Sequence, residues 1–386
     1  MHVAILYAGD ISRESGTSER VRQIAKGLAN LGVQVTLSTR TRPAAKGHYS
    51  DASEHMGLYL IYMPNRLIKL FSVLKWVVQP IVDALVNRYE IVQIELFPFC
   101  RTILLYLLLH PFCKKFIIVF HDKWFKDDPR KSIIGRLQLI LQRMLLLVFD
   151  VAITPGISVK KFFEELHGDL LLRKMVIIPN GAPEVEFKNI IGCSSLRENY
   201  GIDETAFVAL YFGSMSFKPN YEAALLLHRI SDYVSDEFEK INGKRLIFVV
   251  AGIGSETLPR SRCFIPLGFV KSLEKLFSLP DVIVLPHTPS YSGPHVKTVY
   301  AFFSRKPVVA SEDAVKDMPH VVPGKHFLLF DVEKPDTLVE ALSNIYRDVE
   351  LRRNLTLNAY LYSKKFSWKY ISLLHLKLYN KILKDA

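Results

Sequence analysis

Short apolar runs alternate with helical segments along the chain, and this alternation constrains the fold more than any other feature of the sequence. The chain opens with an apolar run at residues 3–7, a small polar loop, a helical segment at 19–31 and a second apolar run at 33–38. A strand, a helix and a strand in that order form a βαβ unit, and a series of such units predicts a parallel sheet covered by helices. The predicted fold class is therefore α/β.

The alternation runs twice, in two series separated by a break. The remaining strand-like runs lie at residues 91–96, 116–120, 151–154, 175–179, 207–212, 246–251, 263–267, 282–285, 307–310 and 327–330. Proline and glycine cluster at 179–183, and these residues commonly interrupt regular structure. We therefore predict two Rossmann-like domains, with the first at 1–182 and the second starting at 183. Ligands bind outside the carboxyl ends of parallel strands, so two such domains facing each other predict a central cleft.

The chain carries an excess of positive charge, with 50 Lys and Arg residues against 38 Asp and Glu residues and a net charge of +12. Such an excess fits three classes of partner, which are nucleic acid, an anionic membrane surface and a phosphorylated ligand. The longest basic runs are pairs such as Lys114-Lys115, and no nucleic-acid-binding motif accompanies them. We therefore expect no nucleic-acid partner.

The cysteines are far apart in the sequence, at Cys100, Cys113, Cys193 and Cys263. They form no spacing typical of a zinc site, so we expect no metal. Two of them lie in or beside apolar runs, where free thiols behave as small apolar groups. This usage indicates a reducing compartment, and we expect a cytoplasmic protein.

No apolar run reaches the roughly 20 residues that a transmembrane helix requires. Residues 66–78 place apolar side chains at helical spacing, with Lys69 and Lys75 at the borders. This pattern is typical either of a helix that lies on an anionic membrane or of a helix that buries one face in a core. Peripheral contact with a membrane, without a transmembrane helix, is therefore one of two expectations for this segment.

Two glycine-containing turns follow strand-like runs in the second half. Gly213 and Ser214 come after the run at 207–212, and Lys218 follows near a helix start. Glycine lets backbone approach a ligand and lysine supplies a cation, a combination that suits a diphosphate; the alternative is an ordinary turn with a solvated lysine. The turn with Gly252 and Gly254 would let a base or a ribose pack closely.

A third loop precedes a helical segment predicted at 298–303. It contains the candidate anion-binding residues Ser292, Gly293, Pro294, His295 and Lys297. A turn at a helix start offers unpaired backbone N–H groups to an anion, and Lys297 would add a full charge. Lysine at a helix start opposes the helix dipole, which favours a bound anion, although single lysines at this position are common.

In the first half, His121 and Asp122 follow the strand-like run at 116–120. A histidine titrates near neutral pH, so His121 could handle an acceptor hydroxyl or its proton, with Asp122 orienting the ring or binding a hydroxyl. The alternative is a histidine that makes only a local hydrogen bond. The sequence has no serine-histidine-aspartate order, no metalloprotease histidine pair and no Walker motif.

Taken in order, these motifs resemble the retaining glycosyltransferases of the GT-B architecture, in particular family 4. The opening loop resembles that of the family at Gly16, Thr17 and Arg20, and His121-Asp122 resembles its strand end near the acceptor. The loops around Gly213, Lys218 and Gly268, the segment 176–182 and the closing segment 365–368 also match the family pattern in order.

The resemblance implies an N-terminal acceptor domain at 1–182, a C-terminal donor domain at 183–365 and a last helix at 366–386 that crosses back to the first domain. It also implies a nucleoside-diphosphate-sugar donor, retention of the anomeric configuration and no metal. The family's donor motif carries two glutamates, and Ser292 and Tyr300 stand in their places here. The remaining Gly293 and Lys297 resemble a variant branch in which a glycine loop and a lysine hold the donor phosphates.

Two functions therefore stay open. The first is a retaining hexosyltransferase at the cytoplasmic membrane face that transfers a sugar to a saccharide or lipid-linked acceptor, in polysaccharide or glycolipid biosynthesis. The second is a catalytically inactive GT-B partner or binding protein in glycan assembly, which the loss of both glutamates favours.

Overall fold

The computed structural model describes residues 1–7, 9, 11, 16–39, 58–61, 88–95, 99–121, 128–168, 173–182, 197–289 and 296–385. The chain divides into two units. Unit 1 comprises Met1–Gly181 together with Trp368–Ala386, and unit 2 comprises Ala182–Ser367. Both unit boundaries lie within two residues of the predicted domain boundaries.

Unit 1 contains a parallel sheet with seven described strands in the order β3-β2-β1-β4-β5-β6-β7. The strands are β1 (His2–Tyr7), β2 (Gln34–Thr39), β3 (Leu58–Ile61), β4 (Ile91–Glu95), β5 (Lys115–Val119), β6 (Val151–Thr154) and β7 (Met175–Ile177). The helices between them are α1 (Gly16–Asn30), α2 (Phe99–Leu109), α3 (Ile133–Val148) and α4 (Ile157–His167).

Both faces of this sheet are buried, which explains why its strands are apolar without a break rather than alternating. On β1, Val3 and Ile5 join one core cluster with side chains of α1, whereas Ala4 and Leu6 join a second cluster on the other face. That second cluster includes side chains of α2, α3 and α4.

Unit 2 contains a parallel sheet with six described strands in the order β10-β9-β8-β11-β12-β13. The strands are β8 (Phe207–Phe212), β9 (Leu246–Ala251), β10 (Phe264–Gly268), β11 (Val282–Leu285), β12 (Val308–Ala310) and β13 (Leu328–Leu329). The helices are α5 (Lys218–Asn242), α6 (Leu273–Ser278), α7 (Val296–Phe303), α8 (Glu312–Val315), α9 (Pro335–Arg347) and α10 (Val349–Ser363).

The strand order of each sheet reverses at a central pair. In unit 2 the chain adds β9 and β10 on one side of β8 and then β11 to β13 on the other, and in unit 1 the corresponding pair is β1 and β4. Such a reversal leaves a crevice at the carboxyl ends of the two strands, where ligands bind in open α/β sheets.

The C-terminal helix α11 (Trp368–Lys384) belongs to unit 1, so the prediction that the last helix crosses back is confirmed. Its Ile371, Tyr379 and Ile382 enter the same core cluster as α1. Trp368 lies against Gly181, where a Cβ atom would be 2.5 Å from the indole ring. This contact joins the two segments that make up unit 1.

Most predicted strands match the structure, and four have the predicted bounds. Helix α1 begins at Gly16 instead of residue 19, and β3 is a strand that the sequence pattern did not predict. None of the described helices is long and apolar enough to cross a membrane. The segment 66–78 lies outside the described residues.

We predict that Gly27→Ala destabilises unit 1, although alanine favours a helix over glycine by about 1 kcal/mol. A Cβ atom at Gly27 on α1 would lie 1.9 Å from Ser372 Oγ and 2.7 Å from Ser372 Cβ. Ser372 is fully buried and donates to the Trp368 carbonyl oxygen at 2.8 Å, so it has little room to move. Overpacking of this kind costs about 1–3 kcal/mol.

Chemical denaturation would measure this effect, with Lys26→Ala on the exposed side of the same helix as the matched control. The control should stay within about 0.5 kcal/mol of the wild type. A Gly27→Ala protein more stable than the wild type would contradict the close packing of α1 on α11.

Candidate functional sites

A lysine ammonium is buried at the strand reversal of unit 2. Lys297 is the second residue of α7, which follows β11, and its Nζ donates to Asn220 Oδ1 at 2.5 Å and to the Tyr211 hydroxyl at 3.0 Å. The same Nζ lies 4.7 Å from the centre of the Tyr211 ring. Residues from β8, α5 and α7 therefore meet at the carboxyl end of β8.

The partners of Lys297 are themselves fixed by the turn between β8 and α5. Asn220 Nδ2 donates to the Ser214 carbonyl oxygen at 2.9 Å, and the Tyr211 hydroxyl donates to the Asn220 carbonyl oxygen at 3.3 Å. The side chain of Asn220 thus links the turn to the ammonium. Its Nδ2 holds the turn while its Oδ1 holds Lys297.

Burial lowers the pKa of Lys297 well below its usual value, because the charged form loses hydration. Neither described partner carries a negative charge that would raise the pKa of Lys297 again. Burial also raises the pKa of the Tyr211 phenol, which keeps this partner neutral. A buried cation with only neutral partners is unfavourable by itself. An anion placed beside Nζ would offset that cost and could use the third N–H of the ammonium.

Two glycines keep the space beside Lys297 open and the surrounding turns close together. A Cβ atom on Gly213 would lie 2.7 Å from Lys297 Nζ and 2.9 Å from Asn220 Nδ2. Gly252 has a φ of +131°, and a Cβ atom there would lie 2.0 Å from the Gly213 carbonyl oxygen. Gly252 therefore allows the turn after β9 to pack closely against the turn after β8.

In unit 1, a carboxylate and an imidazole meet at the ends of two neighbouring strands. Glu95 ends β4 and is fully buried, and His121 lies just beyond β5. His121 Nε2 and Glu95 Oε2 are 2.6 Å apart. Burial acts to raise the pKa of Glu95, but the hydrogen bond from His121 and the positive charges of His121 and Arg20 outweigh it, so the pKa is lowered.

An ionised Glu95 accepts the hydrogen of His121 Nε2, so whenever the ring is neutral its free lone pair is on Nδ1. The second oxygen of Glu95 accepts from Gln93 Nε2 at 2.5 Å, and Gln93 Oε1 accepts from the Tyr379 hydroxyl at 2.6 Å. The polar chain therefore runs from His121 on the sheet to Tyr379 on α11.

Each of the two units matches a known protein family. The family model for glycosyltransferase family 4 matches residues 15–184, and the model for glycosyl transferases of group 1 matches residues 206–348. Together they cover most of both units. The chain belongs to the family 4-like glycosyltransferases of the GT-B fold.

Solved structures share this fold with the glycosyltransferase over its whole length. Sucrose-phosphate synthase from Thermosynechococcus elongatus is 16% identical with a TM-score of 0.70, and each chain is covered in full. A glycosyltransferase from Rickettsia africae is 15% identical with a TM-score of 0.71, over 100% of this chain and 99% of that one. HepE of Anabaena in complex with UDP is 15% identical with a TM-score of 0.73, over 99% of this chain and all of that one. No curated protein sequence matches the chain significantly.

The structure brings some predicted donor residues of this glycosyltransferase together and separates others. Gly213, Ser214 and Lys297 form one group with Asn220 and Tyr211. Lys218 is not part of that group, since its side chain is 84% exposed and its Nζ lies 3.4 Å from Glu222 Oε1. Lys218, the first residue of α5, therefore points to solvent and pairs with a residue of its own helix. This position agrees with the alternative of a solvated lysine.

The other predicted donor residues have separate positions. Gly254 has a φ of +83° and precedes a short 3-10 helix at Ser255–Thr257. Tyr300 is partly buried and packs against the core of unit 2. Ser292, Gly293, Pro294 and His295 lie outside the described residues, as does Asp122 in unit 1.

Arg20 does not lie where it was predicted. The family resemblance implied that it lies in an acceptor or phosphate loop with Gly16 and Thr17, which are the first two residues of α1. The guanidinium is instead fully buried, and it donates to the carbonyl oxygens of Pro179 and Ile178 and to Asn180 Oδ1. Arg20 therefore holds the segment that follows β7 against α1.

The sequence pattern also missed residues that the two sites depend on. Glu95 and Gln93 lie two positions apart in a strand, so they share one face, and a buried Glu at the end of an apolar run was a usable signal. Tyr211, Asn220 and Tyr379 carried no such signal, because their role depends on residues far away in the chain.

A basic groove lies at the opposite end of the unit 2 sheet. This cavity of about 1010 Å³ is bordered by Phe207 at the start of β8 and Pro307 before β12. Its basic lining residues include Arg197, Lys244, Arg305, Arg352 and Arg353. None of the described donor candidates lines it, so part of the positive charge of the chain lies away from Lys297.

The fully buried His375 on α11 yields a prediction for the pH dependence of stability. Burial, with the nearby charge of Arg20, lowers its pKa from 6.5 to about 3. Between those pH values the unfolded chain binds a proton that the folded chain does not, so stability falls as the pH falls, by about 1.4 kcal/mol per pH unit. From pH 7 to pH 5, the wild type should therefore lose about 2 kcal/mol more than His375→Gln.

Hydrogen exchange of the β4 amides would measure the free energy of opening of unit 1 in the wild type and in His375→Gln. His110→Gln, at an exposed position, is the control and should lose as much stability as the wild type. Equal acid sensitivity of the wild type and His375→Gln would mean that His375 is not held neutral.

Proposed function

We propose that this protein is a retaining hexosyltransferase that transfers a sugar from a nucleoside-diphosphate sugar to a saccharide or lipid-linked acceptor at the cytoplasmic membrane face. One observation carries the donor part of the proposal. Lys297 has a buried ammonium with neutral described partners at the strand reversal of unit 2, where ligands of α/β sheets bind.

A diphosphate suits this position because it is compact and negatively charged. Hydrogen bonds between an ammonium and a phosphate oxygen are stronger than neutral ones, and they strengthen as water is excluded. The glycine at 213 leaves room beside Nζ for a phosphate oxygen. Structures of HepE in complex with UDP and with UDP-glucose provide further support for a nucleotide-sugar donor.

The transfer breaks the bond between the anomeric carbon and the diphosphate oxygen, and the electron pair leaves with the diphosphate. The acceptor hydroxyl oxygen forms the new bond to the anomeric carbon and gives up its proton. Lys297 stabilises the charge that develops on the diphosphate, so that the reaction proceeds without a metal. His121 Nδ1 is the candidate for receiving the proton, because Glu95 holds the ring with its hydrogen on Nε2.

A second candidate function is a protein of this fold that binds glycan or a partner without catalysis. The observation that favours it is Tyr300, which stands in place of a family glutamate and packs against the core of unit 2. A phenol can form a hydrogen bond to a ribose hydroxyl but cannot supply a fixed negative charge. Donor binding without release of nucleoside diphosphate from any nucleotide sugar would favour this function.

We predict that Lys297→Ala weakens binding of a nucleoside diphosphate by about 10- to 100-fold, the usual value of a hydrogen bond to a charged group. Lys218→Ala is the matched control, because it removes the same charge from an exposed position in the same unit. Calorimetric titration with a panel of nucleoside diphosphates would measure both affinities and identify the base. A ligand at 100 times its Kd should also raise stability by about 2.7 kcal/mol.

Equal loss of affinity in Lys218→Ala and Lys297→Ala would contradict the assignment of the donor site to the buried lysine. A wild-type protein that no member of the panel stabilises would contradict a nucleotide-sugar donor altogether.

We also predict that Glu95→Gln lowers turnover by at least about tenfold, because the neutral amide no longer fixes the hydrogen on His121 Nε2. The pH profile of turnover should change while the affinity for nucleoside diphosphate does not, since Glu95 belongs to unit 1. Tyr379→Phe, which removes the end of the same polar chain, should have a smaller effect in the same direction. An unchanged pH profile in Glu95→Gln would rule out this role for Glu95.

A further inference from the structure

The outward face of α3 in unit 1 is largely apolar. Its exposed large apolar side chains recur along the helix at helical spacing, which places them in one stripe. They are Ile133 (79% exposed), Ile134 (71%), Leu137 (56%), Ile140 (55%), Met144 (46%), Leu147 (60%) and Val148 (39%). The opposite face of the same helix already buries Leu145 and Leu146 in the core of unit 1. The stripe is therefore a second apolar face with no role in that core.

Helix α2 contacts α3 and has the same two-faced character. It buries Leu105 and Leu109 in the core cluster that α3 also enters, and it exposes Leu104, Leu107 and Leu108. We call the exposed apolar residues of α2 and α3 the helix-pair patch. Soluble monomers rarely expose apolar patches larger than a few hundred Å², and larger ones mark sites of interaction.

The two helices of the helix-pair patch carry charge of only one sign. Helices α2 and α3 contain Arg101, Arg136 and Arg143, all exposed, and no acidic residue. The aspartates just outside α3 are already paired, Asp128 with Arg130 and Asp150 with Lys115. An anionic surface therefore meets exposed arginines without facing an unpaired carboxylate from these elements.

We propose that the helix-pair patch is the surface through which this protein binds an anionic membrane. The apolar stripe enters the headgroup region, and the arginines contact lipid phosphates. Helix α3 has 16 residues, a length of about 24 Å, and it lies along the membrane surface. The inference rests on the proposed membrane contact and names its surface, but it does not depend on the sugar-transfer reaction.

Co-sedimentation with phosphatidylglycerol–phosphatidylcholine vesicles tests this surface. The double variant Leu137→Glu/Ile140→Glu places two charges in the stripe and should bind these vesicles at least about tenfold more weakly than the wild type. Leu357→Glu/Leu361→Glu on α10 of unit 2 is the matched control, because those leucines are 53% and 52% exposed. The control should bind as the wild type does.

The arginines give a second, independent measurement. Arg136→Gln and Arg143→Gln should each weaken binding to the mixed vesicles by about fivefold, and added salt should reduce the difference. Pure phosphatidylcholine vesicles should distinguish these variants from the wild type much less, because their surface carries no net charge.

Three results would overturn the proposal: a wild type that does not bind the mixed vesicles, unchanged binding by Leu137→Glu/Ile140→Glu, and equal weakening by the α10 control. Sedimentation of the wild type as a dimer that the α3 variant dissociates, without vesicle binding, would assign the patch to a second copy of the chain. Titration of each variant with nucleoside diphosphate separates these results from a failure of the proposed donor site, since α3 lies in unit 1 and Lys297 in unit 2.

Discussion

The buried ammonium of Lys297 is the interaction on which the donor site depends. Tyr211 and Asn220 supply oxygens to Nζ, and Asn220 also fixes the turn that begins at Gly213. Each of these groups comes from an element whose position the parallel sheet sets. Because the described partners of Lys297 Nζ are neutral, a negatively charged ligand would stabilise the ammonium. A diphosphate leaving group carries such a charge.

Unit 1 holds an ionised carboxylate inside an apolar sheet. Glu95 is compensated by His121, by Gln93 and by the charge of Arg20. Gln93 in turn accepts from Tyr379, so the C-terminal helix contributes to the orientation of His121. The return of the chain to unit 1 thus has a consequence for the site as well as for packing.

The sequence predicted the fold well because both sheets are parallel and buried on both faces, which turns strands such as β8 and β9 into continuous apolar runs. It did not predict β3 at Leu58–Ile61. It could not separate Lys218 from Lys297, because both stand at helix starts and only burial distinguishes them. The bond between Gln93 and Tyr379 spans 286 positions in the chain, so no local pattern could reveal it.

The most direct test of the central claim is a crystal structure of the protein with a bound nucleoside diphosphate. The account predicts a phosphate oxygen within about 3 Å of Lys297 Nζ, beside Gly213 and at the carboxyl end of β8. A diphosphate bound instead in the basic groove around Arg352 and Arg353, with Lys297 still paired only with Tyr211 and Asn220, would contradict it.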